Sequence, residues 1–376
     1  MNVLFCFIAL NFLFYSNVAS LPVIGVTYNA PPHPSQSADR IASAISALRL
    51  HSVRLPNPDP KLIRSFSFSN TSLLLSIPNI LLPPLAANRS LALRWLYGHL
   101  LPFYPRSKIS LISVGNDAVT HLSQFLVPAI RNVHLALRDL GIKKVSVSTT
   151  FSFPTLVTTP FPPSSATFCE PLDELVITPL LQFLEETNSS FLVNLYPYDL
   201  YRINSQIPLV FALFQDHPFN FRDDWVTGVR YRNLFDMMLD AVITSLAVAG
   251  HENIPVIVTE TGWPSSGEVD ATPVLAEMYI KGLISHLKSG LGTPLRKEGA
   301  QEVYIYELVD KEEEEEKQHG VPKWGILHAN MSTKYKIDFS SSSKIGASIE
   351  ILVGIWLALI GLLFHQLSSF LLENKL

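Results

Sequence analysis

IPVIVTETGWPSSG, residues Ile254 to Gly267, is the stretch whose reading decides the fold. It opens with the apolar, β-branched run Val256-Ile257-Val258, the pattern of a strand buried on both faces. The strand ends at Thr259-Glu260, and Gly262-Trp263-Pro264 turns the chain. A carboxylate closing a buried strand is costly unless it faces a polar cleft. In a barrel of parallel strands, that end is where chemistry is placed. The plainer reading is a capping glutamate at the start of the next helix. Trp263 favours the cleft, because an aromatic face beside a carboxylate suits a sugar ring.

Seven further strand-like runs flank this one, alternating with helical stretches. They are Val23 to Tyr28, His51 to Leu55, Ser72 to Ile77, Ile109 to Val114, Val145 to Ser148, Phe191 to Leu195 and Glu302 to Leu308. Such alternation predicts a parallel sheet with crossover helices, and eight units closing on themselves predict a (β/α)8 TIM barrel. An open doubly wound sheet fits less well, since no glycine-rich phosphate loop follows the first strand. On this count Asp117 ends the fourth strand and Glu260 the seventh, so both acids stand at the C-terminal mouth.

Composition narrows the function. Charged residues make up 16% of 376 residues, with a net charge of -4 and no basic stripe with interleaved aromatics, so no nucleic-acid partner is expected. Of two cysteines, Cys6 falls in the leader, which leaves Cys169 and rules out both a disulfide framework and cysteine metal ligation. His121, His134 and His251 lack metal-ligand spacing, and no cofactor is expected. Residues 1–20 read as a secretory signal ending at Val18-Ala19-Ser20. Four Asn-X-Ser/Thr sequons, at Asn70, Asn88, Asn188 and Asn330, suit a glycosylated, secreted chain. A catalytic domain is expected over 21–339. From 340 to 376, a serine run and an apolar segment read as a GPI-attachment signal or a single membrane-spanning helix.

Two carboxylates at a barrel mouth are the equipment of a retaining glycosidase. One protonates the leaving oxygen while the other attacks the anomeric carbon, at a separation of about 5–5.5 Å. Asn116 is placed to bond a sugar hydroxyl. Here the residues resemble the plant endo-1,3-β-glucanases of glycoside hydrolase family 17. The motifs are IGVTY from Ile24, VRLPNPDP from Val53, ISVGNDAV from Ile112, FPPSSATF from Phe161, FLVNLYPY from Phe191, VIVTETGWPSSG from Val256, YIYELVD from Tyr304 and WGILHAN from Trp324. The resemblance implies a barrel with a long glucan groove, Glu260 as nucleophile, and Tyr28, Asn116, Asn194, Tyr196 and Trp263 as groove residues. It implies a monomer at the outer face of the plasma membrane or in the cell wall.

Three departures from the family pattern stand out. The acid/base position holds Asp117 in place of glutamate, one methylene shorter. After the eighth strand Lys311 stands where a glutamate belongs and Glu314 where a lysine belongs, within an acidic run from Glu312 to Glu316. Tyr28 is followed by Asn29 in place of glycine, and a tyrosine near Pro56 is missing. A working hydrolase is expected; a binding protein that keeps the groove and has lost most turnover is the other reading.

Overall fold

The computed structural model describes residues 21–340, apart from 32–34, 159, 171 and 312–320. The expected leader, the C-terminal apolar segment and Glu314 lie outside the described residues. Among the described residues no helix is long and apolar enough to cross a membrane.

Eight parallel strands close on themselves. They are β1 (Val23–Thr27), β2 (Ser52–Leu55), β3 (Ser72–Ile77), β4 (Lys108–Asn116), β5 (Ser146–Ser152), β6 (Phe191–Asn194), β9 (Val256–Thr261) and β10 (Glu302–Tyr306), the first and last pairing from Val23↔Glu302 to Thr27↔Tyr306. All eight expected runs are strands, and the TIM barrel is the observed fold. The remaining two strands, β7 (Arg222–Asp223) and β8 (Arg230–Tyr231), form a small antiparallel hairpin in the connection after β6.

The helices lie between strands for reasons legible in the chain. Helix Ala38–Ala47 buries Ile41 and Ile45 and is capped by Ser37, whose hydroxyl accepts from the Arg40 amide. Helix Leu234–Val248 is capped by Asn233, and helix Pro273–Ser289 ends at Gly290 with φ 67°. The apolar core fills the space between strands and helices. A second cluster of Leu74, Leu111, Leu192, Ile257 and Tyr304, one each from five barrel strands, fills the lumen. Gly25 makes room for it. A Cβ there would sit 2.7 Å from the Tyr304 ring and 2.8 Å from the Ser52 carbonyl oxygen.

Candidate active site

β9 carries Glu260 to the mouth, where its side chain is only 10% exposed. Arg54, on β2 and fully buried, pairs through Nη1 with Oε1 of Glu260. The Tyr196 hydroxyl, just past β6, donates to Oε2 at 2.6 Å. A buried charge persists only when paired and hydrogen-bonded, and both carboxylate oxygens are so held. Burial, then the Glu260 charge and hydrogen bond, push the Tyr196 phenol well above its ordinary range, so Tyr196 stays a donor.

Asp117 lies on the other side of the mouth, with β5 and β6 between its strand and β9. β4 ends at Asn116, one residue before Asp117, which was expected to close it; Asp117 itself sits in the left-handed region at φ 49°. Its amide donates to the Thr150 carbonyl at 2.8 Å. Oδ1 accepts from the Thr155 hydroxyl at 2.7 Å and from the Ser152 amide at 3.2 Å. Both contacts fall on Oδ1, and the side chain is half-buried.

β6 links the two acids. Asn194 Nδ2 donates to Asn116 Oδ1 at 3.1 Å, and Thr259 Oγ1 donates to Asn194 Oδ1 at 2.8 Å. Asn79 fixes the backbone of Asn116 from the far side, accepting from its amide at 2.8 Å and donating to its carbonyl at 2.9 Å. Asn116 is exposed; Asn194 is buried, its side chain bridging Asn116 and Thr259.

The expectation that Trp263 offers its ring to sugar is corrected. Trp263 is 1% exposed. It packs against Tyr198, Tyr201 and Tyr279 at centroid distances of 4.9, 5.7 and 5.7 Å, and its Nε1 donates to the Asp270 carbonyl. After Gly262 the chain turns behind the barrel wall, so adjacency to Glu260 along the chain is not adjacency in the groove. The aromatic at the mouth is Trp324, half-buried and 5.3 Å from Tyr196 and 6.0 Å from Tyr306. Tyr28 is likewise buried, its phenol pushed up by burial and by the Glu307 charge.

Sequence reasoning missed Arg54 and Glu307. Arg54 was visible as the one charged residue of the short strand Ser52–Leu55. Glu307 follows β10, is 4% exposed, and has its carboxyl pushed up to about 8. Burial is the chief cause; Asp310 and Glu260 add to it, and Lys311 and Lys334 oppose it. Lys311 is exposed beside this carboxyl. Lys334 is held by both oxygens of Asp310, at 2.9 and 2.8 Å. At Asn29, the side chain accepts from Asn57 at 3.1 Å, tying the loops after β1 and β2. Among the described residues no cluster of three histidine, cysteine, aspartate or glutamate side chains could hold a metal.

A parallel eight-stranded barrel with a clamped, buried carboxylate at the C-terminal end of one strand and a second carboxylate across the mouth defines the class of barrel glycoside hydrolases. The family model described as glycosyl hydrolases family 17 matches residues 24–339, and the chain belongs to that family. Glucan endo-1,3-beta-glucosidase 2 of Arabidopsis thaliana is 39% identical over 336 residues, 86% of this chain and 65% of that protein. The chain thus spans about two thirds of the length of such relatives. Glucan endo-1,3-beta-glucosidase of Nicotiana tabacum is 33% identical, over 85% of this chain and 90% of that protein. Among solved structures, CJP38, a beta-1,3-glucanase and allergen of Cryptomeria japonica pollen, superposes with a TM-score of 0.78 at 33% identity, over 85% of this chain and 99% of that one.

Proposed function

We propose that the chain is a retaining endo-hydrolase of 1,3-β-glucan, acting outside the cell. The observation that carries this reading is the clamp on Glu260. A buried carboxylate paired with Arg54 and aimed by Tyr196 is what a nucleophile needs, and a binding-only groove has no use for it. In the first step Glu260 attacks the anomeric carbon as Asp117 gives its proton to the departing glycosidic oxygen. In the second, Asp117 takes a proton from water, whose oxygen displaces Glu260 from the same carbon. Asn116, braced by Asn194, offers its amide to a sugar hydroxyl. Tyr196, Tyr306 and Trp324 supply aromatic surface beside the bond to be cut.

Asp117 is the weak element, with a short arm and one oxygen held by Thr155 and Ser152. A misplacement of about 1 Å costs on the order of a hundredfold. Laminarin and an activated aryl β-glucoside are to be compared for wild type, Asp117→Glu and Glu260→Gln. Glu260→Gln should abolish cleavage of both. Asp117→Glu should change laminarin turnover by about tenfold or more while sparing the aryl substrate, whose leaving group needs little protonation. If Asp117→Glu alters neither rate, Asp117 is not the proton carrier.

The same reading places the chain at the cell surface, with residues 1–20 as a cleaved leader and 340–376 as the membrane attachment. All four sequon asparagines are exposed, as glycan attachment requires. A phospholipase that cuts the lipid anchor should release the protein from membranes; retention after such treatment would favour a spanning helix.

A further inference from the structure

The connection after β6 carries the β7–β8 hairpin, and the hairpin turn begins at Asp224, a fully buried acid. Its Oδ1 accepts from the Ser164 hydroxyl at 2.9 Å and from the amides of Val226 and Thr227 at 3.0 and 3.1 Å. Its Oδ2 accepts from the Ser164 amide at 3.0 Å. Ser164 belongs to the short 3-10 turn Pro163–Ser165 in the connection after β5. One carboxylate thus ties together two loops that both rise at the C-terminal mouth. The stem is stiffened again by Arg230, paired with Asp223 and lying 3.9 Å over the Phe221 ring.

The residue after this clamp is Trp225, 76% exposed, with exposed Val226 beside it. A large aromatic held out on a fixed turn serves no core, and its flat face is organised before anything binds. Its position is informative. The strand order runs β4, β5, β6, β9, so the two clamped loops stand in the sector between Asp117 and Glu260. A polysaccharide lying across both acids would have this sector beneath its path. β-Linked glucose presents apolar C–H faces, which stack on an indole.

We propose that Trp225 is a distal sugar-stacking platform for the 1,3-glucan chain, held in place by the Asp224 clamp between the two mouth loops. It binds polymer away from the cut bond and takes no part in the chemistry. The proposal rests on the glucan-hydrolase reading above.

Trp225→Ala and Trp225→Phe are to be compared with wild type in two assays. Co-sedimentation with insoluble 1,3-glucan, in a Glu260→Gln background, reads binding without turnover. Cleavage kinetics on laminarin and on a short aryl glucoside read where the loss falls. Trp225→Ala should weaken sedimentation and raise KM for laminarin by about threefold to tenfold, with the aryl glucoside unaffected, and Trp225→Phe should recover most of it. Equal sedimentation of Trp225→Ala and its parent overturns the platform while leaving the hydrolase reading intact. So does an equal loss on short and long substrates. A change in oligomeric state with glucan binding unaltered would make the patch a self-contact and overturn the proposal too. If the wild-type chain neither cleaves nor sediments with 1,3-glucan, the reading beneath it falls as well.

Discussion

Glu260 and Glu307 lie close enough for the charge of the first to bear on the second, in different surroundings. Glu260 has a guanidinium and a phenol to hold its charge; Glu307 has burial and the neighbouring acids against it. The Glu307 carboxyl, pushed up to about 8, loses its proton as pH rises through that value, and a negative charge then appears beside the proposed nucleophile. Activity should therefore fall on the alkaline side, and Glu307→Gln should remove that limb from the pH–rate profile. A limb that survives the substitution would show that another group sets it. Asp117 and Glu260 could be read from the chain because acids at strand ends carry a local signal. The burial of Asn194 and Trp263 could not, since it depends on which way the chain turns after the strand.

At the scale of elements, the barrel strands were legible mainly as short apolar runs between polar turns; β5, rich in serine and threonine, was read only over its first residues. The β7–β8 hairpin was not. Its strands are two residues each, and it owes its shape to Asp224, Ser164 and the Arg230–Phe221 stack, contacts between distant or alternating residues that no periodicity records. The turn after β9 is a middle case. Gly262 stands out in the motif, but the reason for it is spatial: a Cβ there would lie 2.4 Å from the Tyr306 carbonyl oxygen and 3.3 Å from the Trp324 ring. The glycine lets the end of β10 and the mouth tryptophan close over β9.

For the whole molecule, several buried groups bind protons more tightly in the fold than in the open chain. Burial pushes Asp240 up to about 7, and Glu307 rises for the same chief reason. Burial alone would lower His286, but its contact with Asp236, at 2.8 Å, outweighs that and raises it. For the two acids, ionisation opposes folding, so stability declines as pH rises from about 4 toward 7 and 8. The His286 contribution is complete below about 6.5 and is lost as pH passes its raised value. All three act in one direction, and Asp224, held low by its hydrogen bonds against the pull of burial, sets the opposing acid edge. Thermal unfolding should show a Tm several degrees higher at pH 5 than at pH 8; a Tm that climbs between those values would contradict this assignment.

The seam between β1 and β10 also bears on how the protein is made. A ribosome delivers Val23 long before Glu302, so the first stave waits, edge bare, until the last of the eight has been made. Tyr304 can slot over Gly25 only then. Closure therefore waits on all eight staves, and the growing chain must be shielded from sticking to its neighbours until the ring is sealed.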